Sequence, residues 1–192
     1  MVHGIGRRAF LALLACVLSD AGPARADTDD SSPLVFAAAS LTDVLQQVGA
    51  DYGRDRRQKV RFSFGSTATL ARQIESGASA DLFVAADREW MDYVGQRRLV
   101  RSERRVDLLG NRLVLIAPAD SKVQLTLAPG VALAAALGPQ GRLALADPAS
   151  VPAGKYARLA LTRLGAWDGV ASHYVAADNA RLALLYAARG EA

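Results

Sequence analysis

Four stretches of this chain bring small or hydroxyl residues to the point where an apolar run passes into helical spacing. They are Phe36-Ala37-Ala38-Ala39-Ser40-Leu41-Thr42-Asp43, Phe64-Gly65-Ser66-Thr67-Ala68-Thr69-Leu70, Val151-Pro152-Ala153-Gly154-Lys155-Tyr156 and Ala177-Asp178-Asn179-Ala180-Arg181. A helix start exposes unpaired backbone N–H groups and the positive end of the helix dipole, so it attracts anions. Facing pairs of such starts surround a small oxyanion with donors and need no cationic side chain. Ser40 and Asp43 have the S-x-x-D spacing of a capping box, which predicts that Ser40 caps its helix. Of Ser66 and Thr67, one is expected to cap and the other to keep its hydroxyl free for a ligand. Pro152 suits a first helical position, with Ala153 and Gly154 leaving the backbone bare beside it. Asp178 is expected to cap the last helix and to point away from any anion. Each turn alone is what an ordinary capped helix shows. Four on one chain suggest a donor-lined binding site.

Other chemistry finds less support. A secreted serine hydrolase would need Ser40 and His173, but no G-x-S-x-G elbow surrounds Ser40 and nothing nearby orients His173. The other histidine, His3, and the sole cysteine, Cys16, lie near the N-terminus, which leaves no His-rich metal cluster and no disulfide in the body of the chain.

The elements that must position these turns alternate. Strands are expected at 34–38, 60–64, 81–85, 143–146 and 174–176, and helices at 41–52, 68–75, after Asp87, 131–137, 154–164 and 179–188. The run 106–118 is read as a strand passing between two lobes. Alternation of this kind predicts an α/β fold of mostly parallel sheets flanked by helices, with ligands beyond the carboxyl ends of the strands.

Residues 1–26 read as a secretory signal: Arg7-Arg8, an apolar core at 9–18 and the A-x-A site Ala24-Arg25-Ala26. The arginine pair is compatible with twin-arginine export, and Leu13-Leu14-Ala15-Cys16 loosely matches a lipoprotein box, ranked below the A-x-A site. The formal charge is +4, of which the signal holds +2. So weak a surplus, without a basic stripe carrying aromatics, argues against nucleic acid as a partner. With 51% apolar residues the chain can build a core without cross-links.

Val35-Phe36-Ala37-Ala38-Ala39-Ser40-Leu41-Thr42, Thr69-Leu70-Ala71-Arg72-Gln73-Ile74-Glu75-Ser76-Gly77, Ala80-Asp81-Leu82-Phe83-Val84-Ala85-Ala86-Asp87 and Trp90-Met91-Asp92-Tyr93 resemble the periplasmic molybdate-binding proteins of ABC-type importers. So do Leu108-Leu109-Gly110-Asn111, Asp147-Pro148 with Val151-Pro152-Ala153-Gly154, and Leu164-Gly165-Ala166-Trp167. The resemblance runs from about residue 34 to 192. It implies a type II periplasmic binding fold, with lobe I at 27–112 and lobe II at 113–192, that closes on molybdate or tungstate and performs no chemistry. The implied ligand set is Ser40, Thr67 (usually serine), Ala153 and Ala180, holding molybdenum as molybdate, with Ser66 and Gly154 as further candidates. No cofactor is implied; the implied partner is an inner-membrane ABC permease, the state a monomer and the place the periplasm. The chain stops before the strand that carries the family's tyrosine donor, and the return to lobe I is absent. On this reading the C-terminal part is missing and apolar faces at Leu182, Leu184, Leu185 and Tyr186 are left bare. The alternatives are a receptor for another small oxyanion and a non-binding truncated fragment.

Overall fold

The structure is a computed structural model that describes residues 32–192. The signal segment 1–26 and Cys16 lie outside the described residues. Strand β1 (Leu34–Ala38) is almost wholly buried and forms the centre of a three-stranded sheet. β2 (Arg61–Gly65) pairs with one side of it, Ala38 opposite Gly65, and β3 (Leu82–Val84) with the other, both parallel. A strand flanked on both edges and covered on both faces needs a continuous apolar run, which Leu34-Val35-Phe36-Ala37-Ala38 supplies. β2 instead alternates, and its i, i+2 rings Phe62 and Phe64 stack at 5.3 Å on one face.

After β1 a short 3-10 turn (Ala39–Leu41) leads into α1 (Thr42–Arg56); α2 (Thr67–Glu75) follows β2 and α3 (Arg88–Gln96) follows β3. α2 and α3 pack through Ala68, Ala71, Trp90 and Val94. Asp87 caps α3 as its position suggested, accepting the Trp90 N–H at 2.9 Å. The alternating pattern continues with α4 (Leu133–Leu137), β4 (Leu143–Ala146), α5 (Pro152–Arg163), α6 (Trp167–Val170), β5 (Tyr174–Ala177) and α7 (Ala180–Ala188). β4 and β5 form a second parallel pair with Ala146 opposite Ala177. Its core gathers Leu133, Leu143, Leu145, Leu161, Ala166 and Val170.

One expectation fails. Residues 106–118 form no strand: among the described residues no neighbour pairs with them, and Val106, Leu108, Leu109 and Val114 stay exposed. A strand exists only through the partner that takes its backbone hydrogen bonds, and apolar composition cannot supply one. The periodic face of α1 forms its helix but buries nothing, with Val44, Val48 and Tyr52 all exposed. Leu184 and Leu185 on α7 are likewise exposed, whereas Leu182 and Tyr186 are half-buried.

Candidate functional site

All four singled-out turns follow the carboxyl end of a parallel strand, but their local chemistry differs from the expected caps. Ser40 caps nothing. It lies exposed in the 3-10 turn, the backbone position before α1 belongs to Leu41, and the local side-chain bond is from Thr42 Oγ1 to the Ala39 carbonyl at 2.8 Å. The extra turn moves the helix start one residue on and carries Ser40 out of the capping position. Its hydroxyl is uncommitted among the described residues.

At the second turn the open choice between two hydroxyls is resolved. Ser66 caps α2, its Oγ accepting the Thr69 N–H at 3.1 Å and contacting Thr69 Oγ1 at 2.8 Å. Thr67 is 1% exposed, and its Oγ1 accepts the Ala86 N–H at 3.0 Å. That bond ties the start of α2 to the loop between β3 and α3. It fills one lone pair and leaves the hydroxyl hydrogen free to donate.

At the third turn Pro152 occupies the first helical position and Lys155 N–H is the donor that reaches back to Val151 at 2.9 Å. The N–H groups of Ala153 and Gly154 precede that first bond and have no helical partner. A side chain at Gly154 would lie 2.0 Å from the Ala146 carbonyl oxygen and 2.4 Å from that of Asp147. Glycine is required here because the helix rests directly on the end of β4. Asp147 beside it accepts from Ala149 N–H at 3.0 Å and from Ser150 Oγ at 2.5 Å, and these bonds, the serine's foremost, hold its carboxyl below the usual range.

At the fourth turn the cap is Asn179, not Asp178. Asn179 is the last extended residue, so its Oδ1 accepts the Leu182 N–H at 3.0 Å, while Asp178 is one residue too early and exposed. The first helical backbone donor is Ala183, to the Asn179 carbonyl, which leaves Ala180 and Arg181 N–H groups unused.

These turns are neighbours in pairs, and the pairs are joined into a ring. Ser40 and Thr67 follow adjacent strands β1 and β2, and the turns bearing Ala153 and Ala180 follow adjacent strands β4 and β5. Arg181 at the start of α7 forms a bidentate bond to Asp43 of α1, at 2.7 and 3.0 Å, which brings the Ala180 turn beside the Ser40 turn. On the opposite side Lys155 Nζ meets Glu89 at 2.7 Å, and Trp90 Nε1 donates to the Ser150 carbonyl at 3.3 Å. Through Ala86 and α3 this second crossing reaches Thr67. None of the crossing residues was anticipated as part of the site. Asp43 and Arg181 are 138 positions apart, and the only local hint is an arginine in a helix's first turn, where a cation is disfavoured.

His173 stands apart. It is exposed, its Nδ1 contacts Ser172 Oγ at 3.0 Å, and it precedes the amino end of β5, the end away from the four turns. It therefore has no geometry with Ser40. Among the described residues no group of three or more His, Cys, Asp or Glu side chains is placed to hold a metal ion, and no helix is long and apolar enough to cross a membrane.

Parallel sheets whose carboxyl ends present bare helix starts define an α/β protein with its open edge at the four turns. The chain belongs to the bacterial extracellular solute-binding protein family, whose model matches residues 33–192. It is 42% identical over 187 residues to the molybdate-binding protein ModA of Escherichia coli, covering 96% of this chain and 72% of that protein. To the molybdate-binding protein ModA of Haemophilus influenzae it is 46% identical over 160 residues, 82% of this chain and 62% of the relative, so it spans less than two thirds of that protein's length. Among solved structures it resembles the substrate-binding domain of a putative molybdenum ABC transporter from Clostridium difficile, with a TM-score of 0.56 and 32% identity, covering 84% of this chain and 68% of that one.

Proposed function

We propose that this protein captures molybdate between two lobes, 27–112 and 113–192, and hands it to an inner-membrane ABC permease from the periplasm, with no covalent step. The observation that carries this reading is the ring of four helix starts with unspent donors in a chain whose relatives bind molybdate. Ser40 Oγ, the Thr67 hydroxyl and the N–H groups of Ala153 and Ala180 are the donors, with Ser66 and Gly154 beside them. The set offers hydrogens, and the cations of the two crossings, Arg181 and Lys155, are held by Asp43 and Glu89.

Such a set selects by size and protonation. Each donor that a bound solute shuts off from water but a smaller sulfate leaves short of a bond costs about 1–3 kcal/mol. Protonated phosphate brings its own O–H, for which the backbone N–H groups of Ala153 and Ala180 offer no acceptor. Tungstate, with the same charge and shape, is accepted alongside molybdate. Isothermal titration with molybdate, tungstate, sulfate and phosphate tests this directly. Binding of the first two only, weakened about 5- to 150-fold by Thr67→Val, is expected. Equal binding of sulfate, or no effect of Thr67→Val, would show that the solute is held elsewhere.

A further inference from the structure

The two ion pairs that close the ring have a role beyond surface charge. Asp43 and Arg181 bridge α1 and α7, elements that follow different sheets, through two parallel bonds. Arg181 sits in the first turn of α7, where the helix dipole repels a cation. The carboxylate of Asp43 offsets that repulsion, and the same pairing draws the Asp43 carboxyl below its usual range. Across the ring, Glu89 of α3 and Lys155 of α5 form the matching bridge, again between elements that follow different sheets. Both bridges stand beside proposed donors: Arg181 is next to Ala180, and Lys155 is two residues from Ala153.

We propose that Asp43–Arg181, seconded by Glu89–Lys155, is a latch that holds the two sheets' helix starts around the solute and thereby sets how long it stays bound. This rests on the reading of the ring as the molybdate site. The latch residues are positioning residues and touch no ligand. Because the pairs are exposed, each is individually weak and screened by salt. The pairs are formed without solute; breaking them loosens the ring that retains it, so their loss accelerates release far more than it changes entry.

The test uses the full chain and the variants D43N, R181Q, E89Q and the swap D43R/R181D, with molybdate as the probe. Stopped-flow and calorimetry should show D43N and R181Q releasing molybdate about 3- to 10-fold faster with entry changed less than twofold. The swap should recover most of the loss, and E89Q should add to D43N. Raising salt to about 1 M should narrow the gap between parent and D43N. Hydrogen exchange without ligand supplies an independent reading: D43N should speed exchange at both 40–46 and 180–186 while 67–75 is unchanged. Unaltered release, a swap that recovers nothing, or exchange rising at 40–46 alone would overturn the latch, the last because it marks only a lost helix-dipole contact. If the parent itself binds no molybdate, the assigned function falls, and the two-segment exchange result still decides the latch.

Discussion

Ala180→Pro removes one proposed donor and almost nothing else. Proline lacks an N–H, and the first position of a helix is where that loss is harmless, since the group has no intrahelical partner. The preceding residue must be extended, and Asn179 already is, at φ −161° and ψ 170°. The Asn179 cap bonds Leu182 and the first helical bond comes from Ala183, so both survive the change. Ligand-free stability should hold or rise by about 0.4–1 kcal/mol, because proline restricts the unfolded chain. For a chain of this size that is about 1–4 °C in melting temperature. A hydrogen bond to a charged acceptor contributes about 1.5–3 kcal/mol, so molybdate affinity should fall about 10- to 140-fold. Calorimetry with molybdate, paired with thermal melting of the ligand-free protein, reads both numbers. Undiminished affinity with an intact α7 would refute the assignment of this N–H to the ligand. A melting temperature lowered by many degrees would show instead that the group serves the fold.

Three further outcomes follow from the same geometry. Ser40→Ala should leave the ligand-free melting temperature within about 2 °C of the parent, because Ser40 caps no helix, yet should weaken molybdate binding about 5-fold or more; a large drop in melting temperature would restore the capping role. Gly154→Ala forces a methyl against backbone oxygens at 2.0 and 2.4 Å and should cost about 2 kcal/mol or more, whereas Gly53→Ala in α1, whose nearest neighbour lies at 3.5 Å, should gain about 0.5–1 kcal/mol in parallel melts. Equal effects at the two sites would refute the contact. Asp43, Glu75 and Asp147 are held below their usual range, by Arg181, by Tyr93 and then Arg97, and by Ser150 respectively. A depressed folded pKa gives stability that is full above about pH 4–4.5 and is lost as the pH falls through the folded values. Unfolding in urea should therefore show little change from pH 7 to 5 and a decline below 4; a rise on acidification would refute it.

The legible parts of this chain were those fixed by short-range physics. β1 and β4 occupy the residues their apolar runs marked, and α2, α5 and α7 begin within about two residues of the expected points. Proline at 152 and aspartate at 87 carried their own geometric reason. The caps were harder, because at Ser40 and Asp178 the backbone enters the helix one residue later than the local pattern suggests. Which of Ser66 and Thr67 caps follows from where the backbone enters the helix, Ser66 being the last extended residue, while the Ala86 partner of Thr67 is brought close only by the fold. The stretch 106–118 has the apolar run of a strand and forms none, because strand identity rests on a pairing partner. The ring itself was invisible in pieces: Asp43–Arg181 and Trp90–Ser150 join positions that no local pattern relates.

The direct seat of α5 on β4 at Gly154 bears on the entropy of binding. With no side chain between helix and strand, the first turn of α5 cannot rock without lifting off the carbonyl oxygens of Ala146 and Asp147. On the proposed site its amides are thus aimed before any solute arrives, and little motion remains to be frozen when one does. Affinity from such a turn is expressed as favourable enthalpy with a small conformational penalty. A bulkier residue at 154 would change that balance even at constant contact, turning a fixed donor into one that must be ordered afresh with each arrival.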